Sequence, residues 1–114
     1  MLKQKFRLKN KKDFDDVYKK GRKTASRFFL IKVKSNRKDI SRIGFVVSKK
    51  IVSKIVLRNK LKRKMREVIR LLIDKIKPGY DIIIVATASV SSKNYIEIEK
   101  DLKKLLKERQ LLKI

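Results

Sequence analysis

The spacing of apolar residues changes along the chain, and each change predicts a different secondary-structure element. Near the N-terminus, Phe14, Val17 and Tyr18 lie three and four positions apart, which places them on one face of a helix. Asn10 is a residue type favoured at helix N-caps, and Gly21 is a natural stop. The pattern therefore predicts a short helix between Asn10 and Gly21.

Three later segments have the alternation or the composition of strands. Residues 27–34 and 42–48 alternate between two faces, and the polar residues 35–41 between them predict a hairpin. Residues 80–87 form a continuous, β-branched apolar run, which is typical of a strand buried on both faces. These three strands are expected to form the sheet of the protein.

Two further helices are predicted, one long and one near the C-terminal end. The long helix runs from about Val56 to Ile76, and Pro78 and Gly79 end it. Its apolar stripe steps by three and four residues and comprises Leu57, Leu61, Met65, Val68, Leu72 and Ile76, with Ile69 and Ile73 beside them. Asn94 begins the last helix, whose inward residues are Tyr95, Ile98, Leu102, Leu105 and Leu106.

The predicted order of elements is α-β-β-α-β-α. The strand–helix–strand unit between Ile43 and Val85 requires a parallel crossover, for which right-handed is the usual hand. The 114 residues contain no internal repeat and no low-complexity linker. We therefore expect one domain over residues 1–114, with residues 1–9 as a basic N-terminal arm.

Charge changes this picture more than any other property. The chain has 35 basic and 11 acidic residues, and its formal net charge is +24 at pH 7. Such an excess destabilises the compact state by self-repulsion, which a polyanionic partner would relieve. Nucleic acid is the first candidate for this partner and an anionic membrane surface is the second. In the N-terminal arm, the apolar Phe6 and Leu8 are candidates to anchor it to the body.

The sequence also excludes several kinds of chemistry. It contains no Cys and no His, so it offers no disulfide framework, no thiolate nucleophile and no zinc-finger ligand set. No apolar run approaches the ~18 residues of a membrane span, and no secretory signal is recognisable. A reducing, cytoplasmic setting is expected, and any catalysis must rest on carboxylates or on a partner.

The side of the long helix opposite the apolar stripe is strongly basic. It carries Arg58, Asn59, Lys62, Arg63, Arg66 and Arg70. A merely solvated helix face usually interleaves Glu with Lys, whereas Glu67 is the single acid here. Lys49, Lys50 and Lys54 add charge just before the helix. Charge concentrated in this way predicts nucleic-acid binding.

Aromatic residues beside the basic ones suggest stacking on unpaired bases. Tyr18, with its polar tip, is the best candidate for a partly open position. One of Phe28 and Phe29 can line a cleft, because neighbouring strand residues point to opposite faces. Phe14 and Phe45 are more often plain core residues.

Three acidic residues, Asp13, Asp15 and Asp16, cluster in the first turns of the first helix. They could hold a hydrated Mg²⁺ ion. The commoner explanation is that acids are favoured at helix N-termini, and we prefer it. No Ser/His/Asp set, no Gly-rich phosphate loop and no convincing acid–base pair of carboxylates is present.

Four segments carry a more specific pattern. RIGFVVSKK (42–50) is a strand ending in a double lysine, and LRNKLKRKMRE (57–67) continues it with a basic run on the long helix. Together with RLKNKKDFDDVYKKG (7–21) and YDIIIVAT (80–87), they resemble the bacterial ribonuclease P protein family over almost the whole chain.

The resemblance implies an α+β fold with the order α-β-β-β-α-β-α. This is a two-layer sandwich with a mixed central sheet and an unusual left-handed βαβ crossover, like domain 2 of ribosomal protein S5. It replaces the right-handed expectation and adds a short strand, expected at residues 51–54. Two positions depart from the family pattern, since Lys60 replaces an Arg and Ile55 stands where a small Ala is usual.

The resemblance also implies a function. In this family the protein pairs with a large RNA that holds Mg²⁺ and removes the 5′ leader of precursor tRNA, so the protein itself has no catalytic residue and binds no metal tightly. The RNA-binding residues would be Lys49, Lys50, Arg58, Asn59, Lys60, Lys62, Arg63 and Arg66. The leader-binding cleft would contain Phe14, Tyr18 and Phe29. Ribonuclease P RNA and precursor tRNA are the expected partners, and neither a membrane nor DNA is expected.

Two alternatives come from other classes of protein. A structural RNA-binding protein of ribosomal type, with no role in tRNA processing, would share the charge but not the linked motifs. An amphipathic protein bound to anionic membranes would also be basic. The buried strand at residues 80–87 argues against the second alternative.

Overall fold

Three α-helices and four strands make up the described part of the chain, residues 2–87 and 94–113 of a computed structural model. In chain order they are α1 (Lys11–Lys20), β1 (Arg22–Ala25), β2 (Phe29–Ser35), β3 (Arg42–Val46), α2 (Ile55–Leu72), β4 (Tyr80–Ala86) and α3 (Tyr95–Glu108). Short 3₁₀ turns occupy Gln4–Phe6 and Ile73–Lys75. The order α-β-β-β-α-β-α that the resemblance implied is confirmed.

The four strands form one mixed sheet with the spatial order β1-β2-β4-β3. β4 pairs antiparallel with β2 and parallel with β3, which confirms the predicted parallel crossover. The predicted hairpin between β2 and β3 is wrong, because β4 lies between them. Ile82, Ile83 and Ile84 of β4 are fully buried, and a central position covers both faces of that strand. The hand of the crossover stays a prediction.

The additional strand is β1, and the expected strand at residues 51–54 is wrong. β1 pairs antiparallel with β2, with Arg22 opposite Val33 and Ala25 opposite Leu30. Residues 51 and 52 instead form a turn, in which both backbone N–H groups donate to the Ser48 carbonyl oxygen at 3.2 and 3.1 Å. The sheet therefore gains its extra edge strand beside β2, at the edge away from β3.

Helices cover the two faces of the sheet unequally. The large core lies between one sheet face and helices α2 and α3, and it includes Phe29, Ile31, Met65 and Ile98. The opposite face carries α1 over a smaller buried cluster of Leu8, Val17 and Ile83. Since α1 is only ten residues long, half-buried side chains remain beside it on that face.

The helix ends follow the predicted caps at two helices and depart at the third. The Asn10 side chain accepts a hydrogen bond from the Lys12 N–H at 2.9 Å, and Asn94 caps α3 in the same way. α2 ends at Leu72 rather than near Ile76. Ile76 leaves the helix because it bridges antiparallel to Leu112 in the C-terminal segment.

The N-terminal arm is fixed along the edge strand β3. Leu2 and Leu8 are buried, and Phe6 is half-buried against the large core. The backbone N–H of Leu8 donates to the Ile43 carbonyl oxygen at 2.9 Å. The predicted anchoring of the arm by Phe6 and Leu8 is therefore confirmed, and Arg7 is brought next to α2.

Candidate nucleic-acid interface

The cationic face of α2 is held out from the sheet by a buried stripe on its other side. The buried residues of α2 are Leu61, Met65, Val68, Ile69 and Leu72. Of the eight predicted RNA-binding residues, Lys49, Lys50, Asn59, Lys60 and Arg63 are exposed, and Arg58, Lys62 and Arg66 are half-buried. We call these eight residues the α2 face. Leu57 was predicted to be part of the stripe, but it is 48% exposed, because the helix begins beyond the edge of the core.

Arg58 contributes to the structure of this face as well as to its charge. Its Nη1 donates to the carbonyl oxygens of Val52 and Ser53, at 3.1 and 2.7 Å. α2 has no side-chain N-cap, and Lys54 occupies the cap position. Arg58 therefore fixes the turn that carries Lys49 and Lys50 against the start of the helix.

Positive charges crowd together where the arm meets α2. A cavity of about 360 Å³ is lined there by Arg7, Lys9, Phe14, Phe45, Lys62 and Arg66, among others. Burial, with the nearby charges of Arg7 and Arg63, lowers the pKa of Arg66. Arginine keeps its charge despite such a shift, so this concentration of cations attracts anions.

Phe14 packs against the sheet and forms one wall of a second candidate binding surface. The ring of Phe14 occupies the space that a Cβ on Gly44 would fill, so it lies flush with β3. One helical turn further along α1, Tyr18 is 38% exposed, and burial raises the pKa of its phenol. Lys32 of β2 places its Nζ 4.8 Å from the Tyr18 ring centroid and donates to the Tyr18 carbonyl oxygen at 3.1 Å. We call Phe14, Tyr18 and Lys32 the aromatic cleft.

Phe29 does not belong to this cleft, which corrects the prediction. Its side chain is fully buried in the large core, on the sheet face that α2 and α3 cover. The alternation of β2 places Leu30 and Lys32 on the face of α1 instead. Val46 and Val85 also lie half-buried beside α1. The alternation in the sequence separated these two groups, but it did not indicate which of them α1 would cover.

Two of the three acidic residues of α1, Asp13 and Asp16, are engaged by basic side chains. Asp13 lies 3.2 Å from Arg42 Nη1, and Asp16 lies 3.9 Å from Lys34 Nζ. Arg42 also binds Asp81 through two hydrogen bonds of 2.9 and 2.7 Å, and hydrogen bonding to Asp81 is the largest cause of its raised pKa. Within residues 2–87 and 94–113, no three acidic side chains come together as a metal-ligand group. Only Asp13 lies in the first turn of α1, so the helix-start explanation applies to that residue and stays a prediction.

None of the helices in residues 2–87 and 94–113 is both long and apolar enough to cross a membrane.

Comparison with known proteins distinguishes the ribonuclease P family from structural RNA-binding proteins of ribosomal type. Residues 2–110 match the family described as Ribonuclease P. The chain belongs to the ribonuclease P protein family. The ribosomal and membrane alternatives are therefore wrong as the class of this chain.

Individual relatives agree in both sequence and structure. A ribonuclease P protein component of Clostridioides difficile is 44% identical over 101 residues, covering 88% of each chain. An RNase P protein structure from Staphylococcus aureus has a TM-score of 0.86 at 34% identity, covering 94% of this chain and 97% of that one. The RNase P protein from Thermotoga maritima has a TM-score of 0.82 at 32% identity, covering 90% and 96%.

Membership in the ribonuclease P family establishes the general setting of the protein. This setting is a ribonucleoprotein endoribonuclease that acts in tRNA processing, and the ribonuclease P RNA is the implied partner of the protein. RNA binding agrees with the charge of +24 and with the exposed cations of α2.

Proposed function

We propose that this protein binds the catalytic RNA of ribonuclease P through the α2 face and the 5′ leader of precursor tRNA through the aromatic cleft. One observation carries the proposal. The cavity between the arm and α2 is lined by Phe14 from the cleft and by Lys62 and Arg66 from the α2 face. The two surfaces are therefore continuous, and a single-stranded leader can pass from the RNA bound on α2 onto the exposed ring of Tyr18.

The two surfaces have different chemistry, and we assign them different tasks. Exposed Lys60 and Arg63 can neutralise phosphates without reading sequence, and Asn59 can donate and accept hydrogen bonds. Tyr18 offers a face for an unpaired base, and Lys32 places a cation beside it. The first surface would hold the structured RNA, and the second would distinguish precursor from mature tRNA.

We assign the catalytic centre to the RNA. The chain has no His and no Cys, and the carboxylates of Asp13, Asp16 and Asp81 are paired with basic residues. Phosphate neutralisation by the protein would let two RNA surfaces approach and would strengthen Mg²⁺ binding, and the Mg²⁺ would be held mainly by the RNA. A cytoplasmic location and the absence of a role with DNA belong to the same proposal.

A reconstitution assay tests the function. The protein is mixed with a bacterial ribonuclease P RNA and precursor tRNA at low Mg²⁺. We expect the rate of leader removal and the affinity for precursor to rise above the values for RNA alone. If neither rises, the proposed role in leader removal is wrong.

Variants at Tyr18 test the cleft separately. Tyr18→Ala should lower the affinity for precursor by roughly 5- to 150-fold, the equivalent of ~1–3 kcal/mol for a lost stack. It should leave the affinity for mature tRNA, which has no leader, unchanged. Tyr18→Phe keeps the ring and is the matched control. Equal losses with precursor and mature tRNA would contradict the leader assignment.

A further inference from the structure

A separate cavity lies at the β1 edge of the sheet, away from α2. Its volume is about 350 Å³, within the usual range of ligand sites. The residues that matter for its chemistry are Lys20, Arg22, Lys34, Ser35, Tyr80 and Arg109. We call these six residues the β1 pocket. They come from the ends of four elements and from the residue that follows α3, and the sheet register brings these ends together.

The residues that line the pocket concentrate positive charge. Four of its residues are cationic, and none of the residues that line it is acidic. Lys34 makes a long ion pair of 3.9 Å with Asp16. In the part of the chain that the structure describes, Lys20, Arg22 and Arg109 make no salt bridge. Like charges gathered in one cavity repel each other unless an anion enters.

Arg109 adds an independent indication of a ligand. Its Nε is shielded from solvent and has no hydrogen-bond partner in the described residues. Arg109 lines the pocket, and buried N–H groups are nearly always paired, so its Nε–H still lacks an acceptor. The backbone N–H of Arg109 is occupied, since it donates to the Leu105 carbonyl oxygen at 3.1 Å. The side chain alone therefore offers a free donor.

We infer that the β1 pocket binds a phosphate group of RNA. Arginine forks such as those of Arg22 and Arg109 bind phosphate through paired N–H donors, and Lys20 adds a point charge. Tyr80 supplies an aromatic ring at the same site, which suits a nucleotide. The inference rests on the proposed function, because the RNA in question is the one that the α2 face would hold.

Because of where the pocket lies, a phosphate bound in it would place RNA at a second edge of the sheet. β1 and β3 are the two edges of the sheet. Lys62 and Arg66 of the α2 face lie against β3, whereas Arg22 belongs to β1. The RNA, or two parts of it, would thus contact opposite edges of the protein. One flat RNA surface docked on α2 alone would leave the β1 pocket empty.

Salt dependence of RNA binding provides the test. The double variant Lys20→Gln/Arg22→Gln removes two exposed cations from the pocket. Lys104→Gln/Lys107→Gln removes the same charge from the exposed surface of α3 and is the matched control. Binding of the full-length proteins to a bacterial ribonuclease P RNA is measured over a series of KCl concentrations. Losing one phosphate contact should reduce the slope of log K against log salt by about 0.7–0.9.

We expect this reduction for the pocket variant and no reduction for the control. Equal slopes for the two double variants would overturn the inference. If the wild-type protein fails to stimulate leader removal, the proposed function fails. If it stimulates normally and the pocket variant keeps the wild-type slope, the β1 pocket alone is wrong.

A second measurement uses inorganic phosphate and does not depend on any variant that might unfold. In an NMR titration of the whole protein, the Arg109 Nε–H signal should shift on addition of phosphate. No shift at Arg109 would contradict a phosphate site. If phosphate shifts this signal but the pocket variant binds RNA with the wild-type slope, the pocket takes free phosphate, and its assignment to RNA is overturned.

Discussion

Replacing Gly44 by Ala tests the contact that positions Phe14 in the aromatic cleft. Gly44 is buried in β3, and an added Cβ would overlap the outer atoms of the Phe14 ring. Glycine inside a strand often marks such a close approach of another group. Either the ring or the strand must therefore move when the methyl group is added.

The structure allows an estimate of the cost. Overfilling a packed site costs about 1–3 kcal/mol. Phe14 is only half-buried, so its ring can swing toward solvent, and we expect Gly44→Ala to destabilise the fold by about 1–2 kcal/mol. The displaced ring no longer lies flush with β3. Affinity for the leader should therefore fall, by up to the ~1–3 kcal/mol of one lost stack.

A double-mutant cycle measures the contact directly. Urea unfolding is followed for the wild-type protein, Gly44→Ala, Phe14→Ala and the double variant. Once the ring of Phe14 is absent, the methyl group at residue 44 has nothing to displace. The cost of Gly44→Ala should therefore shrink by about 1 kcal/mol or more in the Phe14→Ala background. An equal cost in both backgrounds would refute the reasoning.

Four further substitutions test the packing around these surfaces, each by urea unfolding. Asp81→Asn removes the charge that binds Arg42 through two hydrogen bonds, and it should cost about 3 kcal/mol; a loss below ~1 kcal/mol would contradict a coupled pair. Leu61→Ala should cost ~2–5 kcal/mol, whereas Leu57→Ala should stay within ~0.5 kcal/mol, and similar costs would contradict their different burial. Asn94→Ala should cost ~1 kcal/mol, and no loss would contradict its role as the cap of α3.

Helices were the part of the fold most accessible from sequence, because their signals are local. The caps at Asn10 and Asn94 and the three-and-four spacing of the apolar residues depend only on near neighbours in the chain. The end of α2 was predicted wrongly because it depends on a contact with a distant part of the chain. Ile76 continues the apolar spacing, but its backbone pairs with Leu112, which is 36 positions away.

The pairing of the strands could not be predicted from such local signals. The segments that became β2 and β3 are neighbours in the chain, and a polar turn between them is a hairpin signal. Their separation by β4 depends on the burial of Ile83 and its neighbours on both faces of the sheet. β1 has only four residues, of which Arg22, Lys23 and Ala25 are exposed, and so it shows no apolar alternation.

The candidate binding surfaces also differ in how far the sequence predicted them. The α2 face was predictable because six of its eight residues lie on the same helix as the buried stripe, and the helical periodicity separates the two. The aromatic cleft was predicted only in part, since Phe14 and Tyr18 lie on α1, but Phe29 faces the large core and Lys32 takes its place. The β1 pocket had no sequence signal, because its cations are scattered between Lys20 and Arg109.

The sequence by itself thus determined the helices, the excess of positive charge and the family pattern, all of which depend on composition or on spacing along the chain. The tertiary structure alone decided which strands pair, which face of β2 α1 covers and which distant cations meet. These features depend on contacts between residues far apart in sequence. Such contacts are selected by the packing of the whole core, and no local pattern specifies which distant segments meet.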